Sequence, residues 1–110
     1  MLKYKNRKVT RNGETYDSMK EAQRHSVLKL LERAEKIGQL ERQVKFELIP
    51  AQKDPDTGKV IERAVTYIAD FCYWANGVYI VEDVKGFKTP EYKLKRKLML
   101  YFHGIRIKET

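Results

Sequence analysis

Apolar residues recur at helical spacing in DSMKEAQRHSVLKLLERAEKIGQL, residues 17–40, where Ala22, Val27, Leu30, Leu31, Ala34 and Ile37 trace one stripe beside a charged face. Ser18 suits the N-cap, Glu21 three residues later completes a capping-box pattern, and Gly38 fits the C-terminal stop. In QVKFELIP, residues 43–50, the period shortens to two. Val44, Phe46 and Leu48 alternate with Lys45 and Glu47, which predicts a strand ended by Pro50. Two β-rich runs then flank Asn76-Gly77 in AVTYIADFCYWANGVYIVEDVKGF, the pattern of a hairpin closed by a type I′ turn. KTPEYKLKRKLMLYFHG returns to helical spacing, with Thr89 as N-cap, Pro90 at the first helical position and Gly104 as stop. Its apolar side is Tyr92, Leu98, Met99, Leu100 and Phe102; its basic side is Lys93, Lys95, Arg96 and Lys97.

The remaining segments are short. VTRNGETY predicts a small hairpin at Asn12-Gly13, behind a basic arm carrying Lys3, Lys5 and Arg7. AQKDPDTGKVIER is turn-rich. Its DPDTG resembles the start of a calcium loop, but Gly58 comes one position too early and no bidentate glutamate follows, which leaves a plain turn. IRIKE closes the chain as a short strand. Helix, strand, hairpin, helix, strand is the order of an α/β domain: a small mixed sheet with a central β-hairpin flanked by helices, in one unit over residues 1–110.

Composition narrows the function. One cysteine, Cys72, cannot form an internal disulfide, and with only His25 and His103 beside it a structural zinc site is not expected. No apolar run is long enough for a bilayer and the N-terminus lacks a signal core, so a soluble cytoplasmic protein with no membrane partner is expected. Lys plus Arg number 23 against 15 acids, a net charge of +8. Such an excess favours a polyanionic partner, nucleic acid first.

The hairpin adds chemistry. In VYIVEDVKGF a strand of Val, Tyr and Ile carries Glu82, Asp83 and Lys85 near its end. With a two-residue turn, Ala75 faces Val78, Asp70 falls opposite Asp83 and Ile68 opposite Lys85. Asp70, Asp83 and Lys85 then share one face, while Glu82 and Val84 point to the other. A three-residue loop would set Asp70 against Glu82 instead. Facing carboxylates cost roughly 0.2–1 kcal/mol in an antiparallel pair. Solvation of the strand end would offset this, and so would a cation between them. Two converging carboxylates suit Mg²⁺, and a lysine alongside can orient water and offset phosphate charge. In a basic protein this reads as metal-dependent phosphodiester hydrolysis.

Asp70 followed by Asp83-Val84-Lys85 resembles the D…(D/E)-x-K signature of the PD-(D/E)XK nuclease superfamily. The chain is more closely similar to a family of small phage- and prophage-encoded proteins placed there. The likeness runs through YDSMKEA (16–22), QVKFEL (43–48), YIADF (67–71), VEDVKG (81–86) and TPEYKLKRKL (89–98). It implies a restriction-endonuclease-like core and a metal-dependent DNA endonuclease of the host cytoplasm. Mg²⁺ is the implied cofactor, with Mn²⁺ able to substitute. Branched DNA, a Holliday junction or flap, is one implied substrate, in keeping with DNA recombination, and concerted cutting of two strands implies a homodimer. Asp70 and Asp83 match the metal-binding acids, the Val84 carbonyl a further metal ligand, and Lys85 the lysine that positions the attacking water. Glu21 matches the glutamate that many members place on the preceding helix. Ala69 departs from the signature's proline, and Asp83 is shorter than the commoner glutamate.

Several of these residues have plainer explanations. Glu21 is accounted for by the capping box, and Gln43 either faces the site or simply opens its strand. Glu82 is expected to pair with a surface base. His25 lies on the charged side of the first helix, within reach of phosphate, and His103 is a favourable charge at a helix C-terminus. Tyr67, Tyr73, Trp74 and Tyr79 are candidates to stack on bases, or plain core and cross-strand packing of the hairpin. Lys88, Lys93, Lys95, Arg96 and Lys97 are candidate contacts to DNA phosphates, or an ordinary solvated face. A non-catalytic nucleic-acid-binding accessory protein with the nuclease fold is the alternative function. An adaptor for other phage proteins is a third, and leaves the facing aspartates unexplained.

Overall fold

Left-handed residues set the tight reversals of the chain. The computed structural model describes residues 8–110; the basic arm at Lys3, Lys5 and Arg7 lies outside the described residues. β1 (Val9–Arg11) and β2 (Glu14–Tyr16) are joined by Asn12-Gly13, followed by α1 (Met19–Arg33) and β3 (Gly38–Ile49). β4 (Gln52–Lys53) and β5 (Val60–Glu62) form a second small hairpin, closed by a turn in which Asp54 Oδ1 accepts from the Asp56 and Thr57 amides. β6 (Val65–Ala75) and β7 (Val78–Asp83) follow, then α2 (Pro90–His103) and β8 (Lys108–Glu109). Asn76 and Gly77, at φ 52° and 76°, make the two-residue turn between β6 and β7 that their side chains favour.

β3, β6, β7 and β8 make a four-stranded mixed sheet in that order, antiparallel except for β7 with β8. This is the α/β architecture with a central hairpin that the periodicities predict. The crossover from β7 through α2 brings the chain end beside the strand that carries Asp83.

Both helix starts follow their sequence signals. Ser18 Oγ accepts the Glu21 amide and Thr89 Oγ1 the Tyr92 amide, each cap worth ~1 kcal/mol. Gly104 ends α2 in the left-handed region, at φ 66°. α1, by contrast, stops at Arg33. Glu35 takes the left-handed turn (φ 59°), its amide and that of Lys36 returning to Glu32 and Leu31, and Gly38 opens β3 instead of closing the helix.

The buried stripe of α1 also differs from the expected one. It is Glu21, Ala22, His25 and Leu28, while Val27 and Leu30 are exposed. The polar members are buried because Tyr16, Arg42 and Gln43 supply hydrogen-bond partners, so apolarity alone misplaces the face. His25 accordingly lies inside, stacked on Phe71 and hydrogen-bonded to the Tyr16 hydroxyl, rather than on the charged side. In α2 the core side is Tyr92 and Met99 with Leu98; Leu100 and Phe102 face outward. His103 ends α2 and reaches the Glu47 carbonyl at 2.8 Å. Among the described residues no helix is long and apolar enough to cross a membrane.

The two helices pack on opposite faces. Tyr67, Ala69, Cys72 and Val81 form one core with Tyr92 and Met99 of α2. Phe71 and Tyr73 form the other with Leu28 of α1. Burying a side chain such as Phe71 or Leu28 contributes about 1.5–3 kcal/mol. Along β6, odd-numbered residues face α2 as far as Ala69 and α1 from Phe71 onward. Along β3 the same exchange falls between Arg42, which reaches α1, and Val44, which packs on the α2 side. The sheet therefore turns over at Gln43 and Asp70, and Gln43 has left-handed backbone, φ 52°.

Candidate active site

The hairpin register decides which acids meet. Pairing runs from Ala75↔Val78 to Phe71↔Glu82, so the two-residue turn holds and the alternative that sets Asp70 against Glu82 does not occur. The ladder stops one pair short of Asp70 and Asp83. Here Asp70 replaces a backbone partner: its Oδ2 accepts the Val84 amide at 2.9 Å. The strands splay, and β7 turns to pair with the chain end through Lys85 N–H to Thr110 O and Thr110 N–H to Asp83 O.

Within this splay the Asp83 carboxyl is near enough to Asp70 for its charge to act on it. Asp83 is buried, at 2% exposure, and its Oδ2 accepts the Tyr67 hydroxyl at 2.8 Å. The Lys85 ammonium lies 3.3 Å from the same oxygen and 4.3 Å from the centre of the Tyr92 ring, a cation–π contact that fixes its position. Burial, together with the neighbouring Asp83 carboxyl, pushes Asp70 up to about 7, against the Val84 amide and Lys85. Burial and the Asp83 charge lift the Tyr67 hydroxyl far above its ordinary value, so it serves as a donor only.

Glu21 approaches from α1. Its Oε1 accepts the Asp17 amide at 2.8 Å, so the capping box reaches one residue beyond Ser18. Its Oε2 is met by Gln43 Nε2 at 3.1 Å and by Arg42 at 3.5 Å. The same Gln43 nitrogen is 3.4 Å from Asp70 Oδ1. Burial and the charge of Asp70 raise Glu21, opposed by the Asp17 amide and Arg42.

The residues singled out in the sequence thus converge: Glu21, Asp70, Asp83 and Lys85, with Gln43 facing the site. At Val84 it is the amide that engages Asp70. Among the described residues no group of three or more His, Cys, Asp or Glu side chains is gathered as for a metal ion; Glu21 is set back behind Gln43. A groove of about 350 Å³ opens onto Asp83, lined by Tyr67, Ile68, Lys85, Thr89 and Lys95 among others.

A family described as "Protein of unknown function (DUF1064)" matches residues 1–108. The chain belongs to that family. No curated protein and no solved structure gives a significant match.

In this family member the basic residues after the site do not form one band. Lys88 and Arg96 pair with Glu109, at 3.5 and 2.9 Å, and Lys95 with Glu91 at 3.0 Å. Lys93 and Lys97, four apart, are the exposed members of the run. Glu82 points to the other face and pairs with a base as expected, the partly exposed Arg24, but its own carboxylate is fully buried and also meets Tyr73 and Thr110.

Sequence reading missed Tyr67 and Arg24. Strict alternation sets Tyr67 on the face opposite Asp70, and only the turning over of the sheet brings its hydroxyl to Asp83. Arg24 did carry a signal. A carboxylate inside a β-rich run needs a base, and Arg24 is three residues from Glu21 on the helix that approaches the hairpin.

Proposed function

We propose that the chain is a metal-dependent DNA endonuclease of the PD-(D/E)XK kind. The observation that carries this reading is the placing of half-buried Asp70 beside buried Asp83 at the splayed end of the hairpin, with a lysine ammonium 3.3 Å from Asp83. The donor set fits Mg²⁺, which keeps several waters and needs only one or two carboxylates. Asp70 and Asp83 would hold the ion, with Glu21 behind them, and the bound ion would polarise the scissile phosphate and lower the pKa of water. The chain's own residues do the remainder. Lys85 orients the attacking water and offsets charge gathering on the phosphate, Tyr67 holds Asp83 in place, and the groove admits the DNA backbone. Lys93, Lys97 and Lys95 add salt-sensitive affinity for phosphates. Concerted cleavage of two strands would require two copies.

A second reading, a nucleic-acid-binding accessory protein without turnover, draws on the setting back of Glu21 and the absence of a three-acid cluster among the described residues. One experiment separates the two. Labelled four-way junction, flap, duplex and single-stranded DNA are incubated with Mg²⁺ or Mn²⁺ and the parent protein, Asp83→Asn or Lys85→Ala. Metal-dependent cutting by the parent, lost in both variants, supports the nuclease. Equal DNA binding by all three with no cutting supports the accessory protein.

A further inference from the structure

Two residues of β3 hold left-handed backbone, Gln39 at φ 53° and Gln43 at φ 52°. For a residue with a Cβ this costs roughly 1–2 kcal/mol. Gln39 lies where the register with β6 shifts, between Gly38 and Glu41, and such a bulge accounts for its conformation. Gln43 sits at no register shift. The register is the same on either side of it, Arg42↔Phe71 and Val44↔Ala69. Its conformation turns the sheet over there and, with that, sets the aim of its side chain. Nε2 comes 3.1 Å from Glu21 Oε2 and 3.4 Å from Asp70 Oδ1. A carboxamide nitrogen carries two hydrogens and ionised carboxylates only accept, so the amide faces the pair nitrogen first. Both Asp70 oxygens are thereby held, Oδ1 by Gln43 and Oδ2 by the Val84 amide.

We infer that Gln43 is a positioning residue, whose amide fixes the Asp70 carboxylate, and Glu21 behind it, for a divalent cation. The inference rests on the metal-dependent reading above. One neutral donor between two anions offsets their repulsion without bringing in a positive charge to compete with the cation. It also stops Asp70 from rotating out of the splay. Partners that orient metal ligands in this way typically change metal affinity 10–100-fold when removed.

Gln43→Gly separates aim from architecture. Glycine accepts φ near +52° without strain, so the variant loses the amide while its backbone is relieved. Gln39→Gly makes the same backbone change on the same strand, away from the acids. Mn²⁺ affinity is measured on the full chain by electron paramagnetic resonance of free Mn²⁺, with thermal unfolding of each protein alongside. The expected result is an Mn²⁺ Kd about tenfold or more higher in Gln43→Gly, undiminished thermal stability, and a parental Kd in Gln39→Gly. A parental Kd in Gln43→Gly overturns the inference and leaves the metal reading standing. Equal weakening in both variants also overturns it, by assigning the effect to the strand. No Mn²⁺ binding by the parent sinks both.

Discussion

Glu82 and Asp83 are neighbours on β7, both lost from solvent, yet one meets a guanidinium and the other meets a second carboxyl. Glu82 has two bonds from Arg24 and one from the Tyr73 hydroxyl. Burial pushes it up, but Arg24 and Tyr73 outweigh burial and hold it below the ordinary carboxylate value. Asp83 has a tyrosine, a lysine at 3.3 Å and the Asp70 carboxyl. The first arrangement is closed and neutral, and suits a structural role. The second gathers negative charge that the protein only partly offsets, which suits the capture of a cation. Consecutive residues of a strand face opposite layers, so one dipeptide serves both purposes.

The largest difference is expected in catalysis. Asp83→Asn should lower metal-dependent cleavage on the order of 10³-fold, about 4 kcal/mol of transition-state stabilisation, while the protein remains folded. Initial rates on a labelled substrate at saturating Mn²⁺, with circular dichroism of both proteins, check this. Undiminished cutting by folded Asp83→Asn would remove Asp83 from the site.

The closed arrangement should be the more costly to break in stability. Arg24→Ala leaves Glu82 buried without its base, and breaking such a pair costs about 3–5 kcal/mol. Lys85→Ala should cost under about 1 kcal/mol, because the lysine is 26% exposed and Asp83 keeps Tyr67. Urea unfolding of the two variants measures the difference. Equal losses would mean that Asp83 depends on its lysine for folding as Glu82 depends on its arginine.

How much of this could be read in the sequence follows from which interactions are local. Both Asn-Gly turns, both N-caps and the Gly104 stop depend on a few adjacent residues and were legible. The register of the hairpin followed from its turn, and it brought Asp70 to Asp83. The turning over of the sheet was not legible, because it depends on a left-handed glutamine that no composition rule marks. The inner face of α1 was misplaced for a related reason. Glu21 and His25 are buried by partners on β2 and β3, and periodicity counts apolar residues, not satisfied polar ones.

The smallest effect, and the sharpest test of the comparison, concerns pH. Ionisation of Asp70 is disfavoured in the folded state, because its value rises from 3.8 to about 7. Its contribution to stability therefore falls as pH climbs through that interval, and the full cost is present above about 7. Glu82 has the opposite sign: its contribution is present above its ordinary 4.5 and is lost as pH falls below that value. In Asp70→Asn the amide oxygen can still accept the Val84 N–H, and no carboxylate charge is left for burial and Asp83 to disfavour. The variant should therefore gain about 1 kcal/mol over the parent at pH 8, and the gain should shrink towards pH 5. Urea midpoints at the two pH values read this directly. Saturating Mn²⁺ should erase the gain at pH 8 by stabilising only the parent. A pH-independent difference would mean that Asp70 is ionised at little cost, and that the open arrangement stores no charge for a cation to relieve.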